Sequence, residues 1–432
     1  LRLELAELDQ RLRELLARSE EQQDHELIQL LKKQQDQKHN EYENLLLKIE
    51  LSNPEYVSLV RVEPLPLKDV QHLLNPETTL LSYFVTPDTT LASIITHDAF
   101  QTVELPFSEE VLKAAILQAR ISGRPDDPPP KALENLYTKL IAPVKKHLTT
   151  PVIGIIPHSV LHYLPFAALT DGQRYFSDEY TLFSLPSASV LKFLQSKPKA
   201  SDNSVLAMAN GQAAGLPPSH YVEQEVKALA RFYKTHLLIG KEATESALKK
   251  RAENCSILHL AAHGELNTTS PLFSRIMLSP DQENNGALEV YEIYELDLRQ
   301  TDLVVLSACE TLLGKRSQGD DIVGLARAFM YAGTPSVIAS LWQVNDYATK
   351  DFMIAFYRQL KRGKSKAEAL RIAQIKTRAK YPHPYYWAGF VLTGDPGTTR
   401  DHIPWPAIMI IGLIVIAGGL LGIAVFRAVI KT

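Results

Sequence analysis

Two side chains capable of nucleophilic chemistry stand at the ends of two apolar runs. His263 closes SILHLAAH and is followed by Gly264; Cys309 closes DLVVLSAC, 46 residues after His263. Cysteine is a weak nucleophile as the thiol and a strong one as the thiolate, so an imidazole that takes its proton allows attack at neutral pH. Both runs are short and unalternating, the pattern of strands buried on both faces. If the two strands are parallel neighbours, imidazole and thiol emerge side by side at the carboxyl edge of the sheet, where catalytic groups collect in α/β folds. The backbone N–H of Gly264 is open to a substrate carbonyl oxygen, because glycine permits close approach, and the N–H of Cys309 is the second candidate donor of an oxyanion hole. One loop and one turn are expected between the runs. A buried structural cysteine and a hydrogen-bonded core histidine would leave the same pattern, and spacing alone leaves both readings open.

Other reactive residues are weaker candidates. His259 precedes His263 by four residues, and His158 and His162 repeat that spacing in PHSVLHYLP. On a helix such a pair faces one metal ion, but these segments read as a strand and a strand exit with no third ligand, so no metal is expected. Cys255 begins a strand in apolar company and reads as packing. In GDDIVGLARAFMYAG, Asp320 or Asp321 caps the helix that follows, where a carboxylate meets free N–H groups and the positive end of the dipole. One cap needs one carboxylate. The other either lines a pocket for the substrate side chain beside the scissile bond, with Trp342 and Asp346, where it would favour a basic group, or faces water or pairs with Lys315, Arg316 or Arg327.

The elements that must position these residues follow from periodicity. Leu1, Leu5, Leu8, Leu12 and Leu15 recur at helical spacing. A second helix is predicted over Leu27 to Leu51, with Ile28, Leu31, Leu45 and Ile49 on its buried face and Asn53-Pro54 as its stop. From Thr78 the texture changes to the strands TLLSYFV and TLASIIT, parted by Pro87-Asp88. A helix over Leu133 to His147 and the strand in PVIGIIP complete a small α/β unit. The polar stretch Ser196 to Asn203 links it to strands and helices in alternation: SVLAMA, helix Tyr221 to Tyr233, THLLIG, helix Glu245 to Ala252, then the two runs above. Helix Ile322 to Tyr331, SVIASLW, helices Ala348 to Leu360 and Lys366 to Lys380, and WAGFVL close the series. Such alternation predicts a mostly parallel sheet with helices on both faces.

With 432 residues, 45% apolar and 22% charged, the chain has room for two or three globular domains. A formal net charge of -3 gives no basic footprint, so no nucleic-acid partner is expected. Two cysteines, Cys255 and Cys309, make no disulfide framework and suit a reducing compartment. The chain opens on Leu1 with a charged helical pattern in place of a signal peptide, and we expect it to be the carboxyl-terminal part of something longer. From Ala407 to Phe426, AIMIIGLIVIAGGLLGIAVF carries no charge and is long enough to cross a hydrocarbon core of roughly 30 Å. Trp405 before it, and Arg427 and Lys431 after it, are placed as interfacial anchors. Its glycines and its lack of a polar face argue against a core helix. The short tail and the unpaired cysteines favour a cytoplasmic main domain, although the flanking basic residues lean the other way.

LHLAAHGELN, LFSRIMLS, DLVVLSACETLLGKRSQGDDIVGLARAFMYAGTPSVIASLWQVND and HPYYWAGFVLTGDP together resemble the CHAT domain, a caspase-like cysteine peptidase domain often attached to tetratricopeptide repeats. NPEYVSLV and IIPHSVLHYLPFAAL are similar to the family's leading part, so the resemblance runs from about Asn53 to Pro396. It implies a caspase, gingipain and separase type of α/β fold, with His263 of AAHG as base and Cys309 of SACE as nucleophile. It also implies that the leading α/β unit is a degenerate copy of the peptidase fold. The caspase signature around the nucleophile is replaced by SACET. The expected organisation is a helical pair over 1–52 ending a possible repeat array, the pseudo-peptidase unit over 53–199, the peptidase part over 200–396, a linker over 397–406, a membrane helix over 407–426 and a tail over 427–432. The expected function is a membrane-anchored cysteine endopeptidase that needs no cofactor, cleaves a protein or peptide, and is gated by upstream repeats or by a regulatory partner on the amino-terminal helices. A catalytically silent scaffold and an acyltransferase using the same cysteine are the competing readings.

Overall fold

A computed structural model describes residues 8, 11–12, 15, 24–52, 64–121, 131–195, 204–210, 220–265, 267, 271–307, 320–342 and 345–399. Among these, eleven strands form one sheet. They are β1 (Thr78–Val85), β2 (Thr90–Ile95), β3 (Phe100–Leu105), β4 (Val152–Ile156), β5 (Thr181–Ser184), β6 (Ser204–Asn210), β7 (Lys234–Ile239) and β8 (Ile257–Ala262), followed after an insertion by Leu303–Ser307, Ser336–Ser340 and Phe390–Gly394. The insertion supplies β9 (Gly264–Glu265), β10 (Arg275–Met277) and β11 (Ala287–Glu289), a separate antiparallel sheet. The remaining three strands of the main sheet are therefore β12, β13 and β14. The order across it is β3-β2-β1-β4-β5-β14-β13-β12-β8-β6-β7. Neighbours run parallel except at the β1–β2 and β2–β3 hairpins and where β14 meets β13.

Alternation along the central strands feeds two cores. Ile257 and Ala261 of β8, Leu303 and Val305 of β12, and Val205, Ala207 and Ala209 of β6 join one core, built with helices His220–Leu229, Asp346–Lys361 and Lys366–Lys380. Leu258, Leu260 and Ala262, Val304 and Leu306, and Leu206 and Met208 join the other, built with Glu245–Ala252 and Asp320–Tyr331. Strands covered on both sides need no polar face, which is why these runs are apolar throughout.

The long amino-terminal helix runs His25–Ser52; Ile28 and Leu31 are buried, as predicted, and they pack with Leu15, Leu8 and Leu12. The side chains of Leu45 and Ile49, and Asn53-Pro54, lie outside the described residues. The helix predicted over Leu133 to His147 ends at Leu140, because Pro143 has no N–H to continue it; a 3-10 turn follows at Lys145–His147. β3, β5 and helix Glu109–Ile121 have no counterpart in the prediction. FQTVEL is largely exposed at the sheet edge and TLFS is four residues long, so neither gives an apolar signal. The predicted membrane helix over Ala407 to Phe426 lies outside the described residues, and no helix among those described is long and apolar enough to cross a membrane.

Two buried ionic groups tie the layers together. The Lys366 ammonium, with no solvent exposure, lies 3.3 Å from Oδ1 of Asp302 at the start of β12 and 3.0 Å from Oδ2 of Asp395 at the end of β14. Its helix begins there, the N–H of Lys366 donating to the carbonyl of Gly397. On the opposite core, Lys249 lies 2.7 Å from Oε1 of Glu245 and 3.4 Å from Oε1 of Glu292, and Oε2 of Glu292 accepts the N–H of Glu289. Burial pushes the Glu245 carboxyl up to about 7 against the pull of Lys249, with Glu292 adding to the rise.

Lys366→Met keeps the stem and strands two carboxylates, and we expect it to cost on the order of 3 kcal/mol in urea unfolding. Unfolded Glu245 releases its proton near 4.5 and the folded protein keeps it to about 7. Its stabilising contribution is therefore complete below pH 4.5 and lost as pH rises through 7. Glu245→Gln is expected to flatten that fall in a series of melts between those pH values.

Candidate active site

β8 and β12 lie side by side and parallel, with Leu303 opposite Ile257, Val305 opposite His259 and Ser307 opposite Ala261. Ala261 and Ser307 are the last β8–β12 partners among the described residues. His263 stands two residues past Ala261, and Cys309, which lies outside the described residues, is two residues past Ser307 in the sequence. Ser307 is fully buried, and its hydroxyl meets no hydrogen-bond partner among the described residues.

His263 is half-buried, and its carbonyl accepts the N–H of Met277 at 2.8 Å. Gly264 opens β9 and pairs with Ile276 of β10. In place of the single loop and turn expected between the two runs, the chain builds the β9–β10–β11 sheet and a short helix, Val290–Ile293. This insertion ties the residue after His263 into a second sheet. Asn210, at the end of β6, reaches across from the main sheet, its side-chain amide donating to the carbonyl of Met277.

The helix carrying Asp320 and Asp321 runs Asp320–Tyr331, and both side chains lie outside the described residues. Trp342 follows β13 and is buried, its indole N–H donating to the carbonyl of Tyr385 at 3.0 Å. Asp346 is the first residue of helix Asp346–Lys361, and the cap is Asn345, whose side-chain oxygen accepts from the N–H groups of Tyr347 and Ala348. Trp342, Asp346 and His263 thus come from the same edge of the sheet, the first two after β13 and the last after β8.

The remaining candidates have packing partners. Nδ1 of His158 accepts the N–H of Val85 at 3.2 Å, and its ring lies against Phe84. The Cys255 thiol is buried and donates to the carbonyl of Ala252. His259 is enclosed between Glu225 and Tyr357. No cluster of three or more metal-ligating side chains forms among the described residues.

Periodicity did not reveal the aromatic wall at this edge. Tyr221 opens helix His220–Leu229 after β6, and Tyr347 opens Asp346–Lys361 after β13; their rings stand 6.3 Å apart. Tyr347 donates its hydroxyl to that of Tyr386, and the Tyr381 ring lies tilted against both. In one dimension the only trace of this wall is a tyrosine in the first turn of each helix and the YY of HPYYW.

The family model described as the CHAT domain matches residues 130–395. Tetratricopeptide repeat protein 28 of Mus musculus is 27% identical over 330 residues, 61% of this chain and 13% of that protein. The Homo sapiens protein of the same name is 27% identical over 329 residues, with the same shares. The chain therefore spans about 13% of the length of the curated relatives it matches. Among solved structures, the Arg specific cysteine proteinase gingipain R is similar at a TM-score of 0.41 and 13% identity, covering 67% of this chain and 75% of that one. The separase-securin complex of Saccharomyces cerevisiae is similar at 0.49 and 12% identity, covering 90% of this chain and 37% of that one. With the family model spanning more than half of its residues, the chain belongs to the CHAT domain family.

Proposed function

We propose that this chain is a cysteine endopeptidase in which His263 is the base and Cys309 the nucleophile. One observation supports this above the others: β8 and β12 are adjacent and parallel, with Ala261 paired to Ser307, and His263 and Cys309 each follow two residues after that pair in the sequence. In the proposed reaction the Cys309 thiolate attacks the scissile carbonyl carbon, and the oxyanion is met by the N–H groups of Gly264 and Cys309. His263, holding the thiol proton, passes it to the leaving amine as the C–N bond breaks. Water then attacks the thioester, His263 takes its proton, and the acid product leaves as the thiol is restored.

The substrate is a protein or peptide, and the side chain before the scissile bond enters a pocket bounded by Asp320 or Asp321, Trp342 and Asp346. A basic group fits this acidic lining. The segment Ala407 to Phe426 anchors the chain in a membrane as a single carboxyl-terminal span, with the peptidase on the cytoplasmic side. Upstream repeats, or a regulatory protein on the helix His25–Ser52, gate the activity. The tetratricopeptide repeats in the names of the curated relatives support that placement.

Cys309→Ala is expected to abolish cleavage of a peptide library with the fold retained by circular dichroism. His263→Ala should lose nearly as much, since nucleophile and base act as a unit. Cys255→Ala should stay active. An essential Cys255 beside a dispensable Cys309 would reverse the assignment. In the same library, cleavage after Arg or Lys that vanishes in Asp320→Ala or Asp321→Ala would support the acidic pocket, and cleavage after acidic or aliphatic residues would remove it.

A further inference from the structure

A chain of three enclosed polar side chains lies on the core face of β8, and the proposed reaction leaves it unused. His259 occupies the middle of the strand, opposite Ala207 of β6 on one side and Val305 of β12 on the other. Its ring has no solvent exposure; Nε2 lies 2.9 Å from Oε1 of Glu225, and Nδ1 lies 2.9 Å from Oη of Tyr357. Glu225 and Tyr357 are buried as well. Glu225 comes from helix His220–Leu229 and Tyr357 from Asp346–Lys361, two helices that pack on each other over the same face.

Burial holds the ionisation of Tyr357 well above the usual phenol range, with Tyr233 and Glu225 adding to the rise, so the hydroxyl keeps its proton in the hydrogen bond it shares with Nδ1. Nε2 faces Oε1 of Glu225 at 2.9 Å, within ion-pair distance but without the alignment of a hydrogen bond. Tyr233 meets Tyr357 edge-on, and the Lys361 ammonium lies 5.3 Å from the Tyr233 ring centre. Every other neighbour of His259 along and across the sheet is apolar: Leu258 and Leu260 on its own strand, Ala207 and Val305 beside it.

Apolar side chains at 225, 259 and 357 together would fill this space without desolvating a carboxyl group. What apolar packing lacks is direction. The 2.9 Å hydrogen bond to Tyr357 fixes the spacing and rotation of Asp346–Lys361 against β8, and the 2.9 Å approach of Nε2 to Glu225 sets the distance of His220–Leu229. Those helices begin at the same edge of the sheet, where the Tyr221 and Tyr347 rings stand 6.3 Å apart, and β8 ends one residue before His263.

We propose that Glu225, His259 and Tyr357 are positioning residues, which hold β8 against both helices so that His263 leaves the sheet aligned with the thiol of Cys309. The proposal rests on His263 and Cys309 being the reacting pair.

The test needs no substrate. In the full chain carrying Cys255→Ala, Cys309 is the remaining thiol, and its alkylation rate by iodoacetamide is followed against pH. Melting temperature is recorded for each variant. His263→Ala should move the profile to that of an ordinary thiol. Tyr357→Phe keeps the ring and loses one oxygen; it should melt near the parent and yet slow alkylation at neutral pH on the order of tenfold. His259→Gln, whose amide can donate to Glu225 and accept from Tyr357, should recover most of the parent profile, whereas His259→Leu should not. A Tyr357→Phe profile identical to the parent overturns the positioning role. If Tyr357→Phe melts far below the parent, His259→Gln decides instead: a profile like that of His263→Ala at parental melting temperature overturns the proposal, and recovery supports it. Identical profiles for the parent and His263→Ala would instead bring down the dyad assignment itself.

Discussion

Everything at the candidate site depends on the register between β8 and β12. Parallel pairing leaves no freedom to slide, since a shift of one residue would turn every side chain of an apolar strand into the wrong core. Ile257 and Leu303 share one core while Leu258 and Val304 share the other, so the two packed layers fix the pairing from both sides. A hydrogen-bonded ladder flanked by two cores is thus what carries positional accuracy to the edge from which His263 leaves the sheet.

The helices are held to that ladder by a few directional contacts of different kinds. Lys366 joins the beginning of β12 to the end of β14 through two carboxylates. Arg371 and Arg378 reach from the same helix to the segment before β5, Arg371 donating to the carbonyls of Ser177 and Asp178 and Arg378 to the Asp178 carboxylate. The guanidinium of Arg378 also lies over the rings of Tyr175 and Trp387. One helix thereby spans the seam at which β5 meets β14, a seam paired through Thr393 and Ser184.

Much of this was legible in one dimension because buried parallel strands announce themselves. SVLAMA, SILHLAA, DLVVLS and SVIAS are apolar throughout, and the helices between them carry their caps in sequence, as Ser365 and Asn345 show. What escaped was local or collective. β5 is too short to have a period, β3 is too polar, and β9 to β11 are two or three residues each. The pairing of His259 with Glu225 and Tyr357 joins residues 34 and 98 positions away and has no local pattern at all. The joining of the leading strands into the main sheet was equally hidden, because it runs through β14, far along the chain from β5.

The place of β14 has a consequence for how the protein is made. Among the described residues it is the last strand of the sheet along the chain, and it sits in the middle of the sheet, between β5 and β13. Until residues 390–394 have been synthesised, the strands before them can assemble only as two half-sheets with facing open edges, β5 on one and β13 on the other. Open edges of this kind pair readily with other chains, so the nascent protein passes through a vulnerable interval that ends when its final strand slots in. The same delay keeps the halves apart until translation of this region is nearly complete, and the cell receives the finished sheet in one late step.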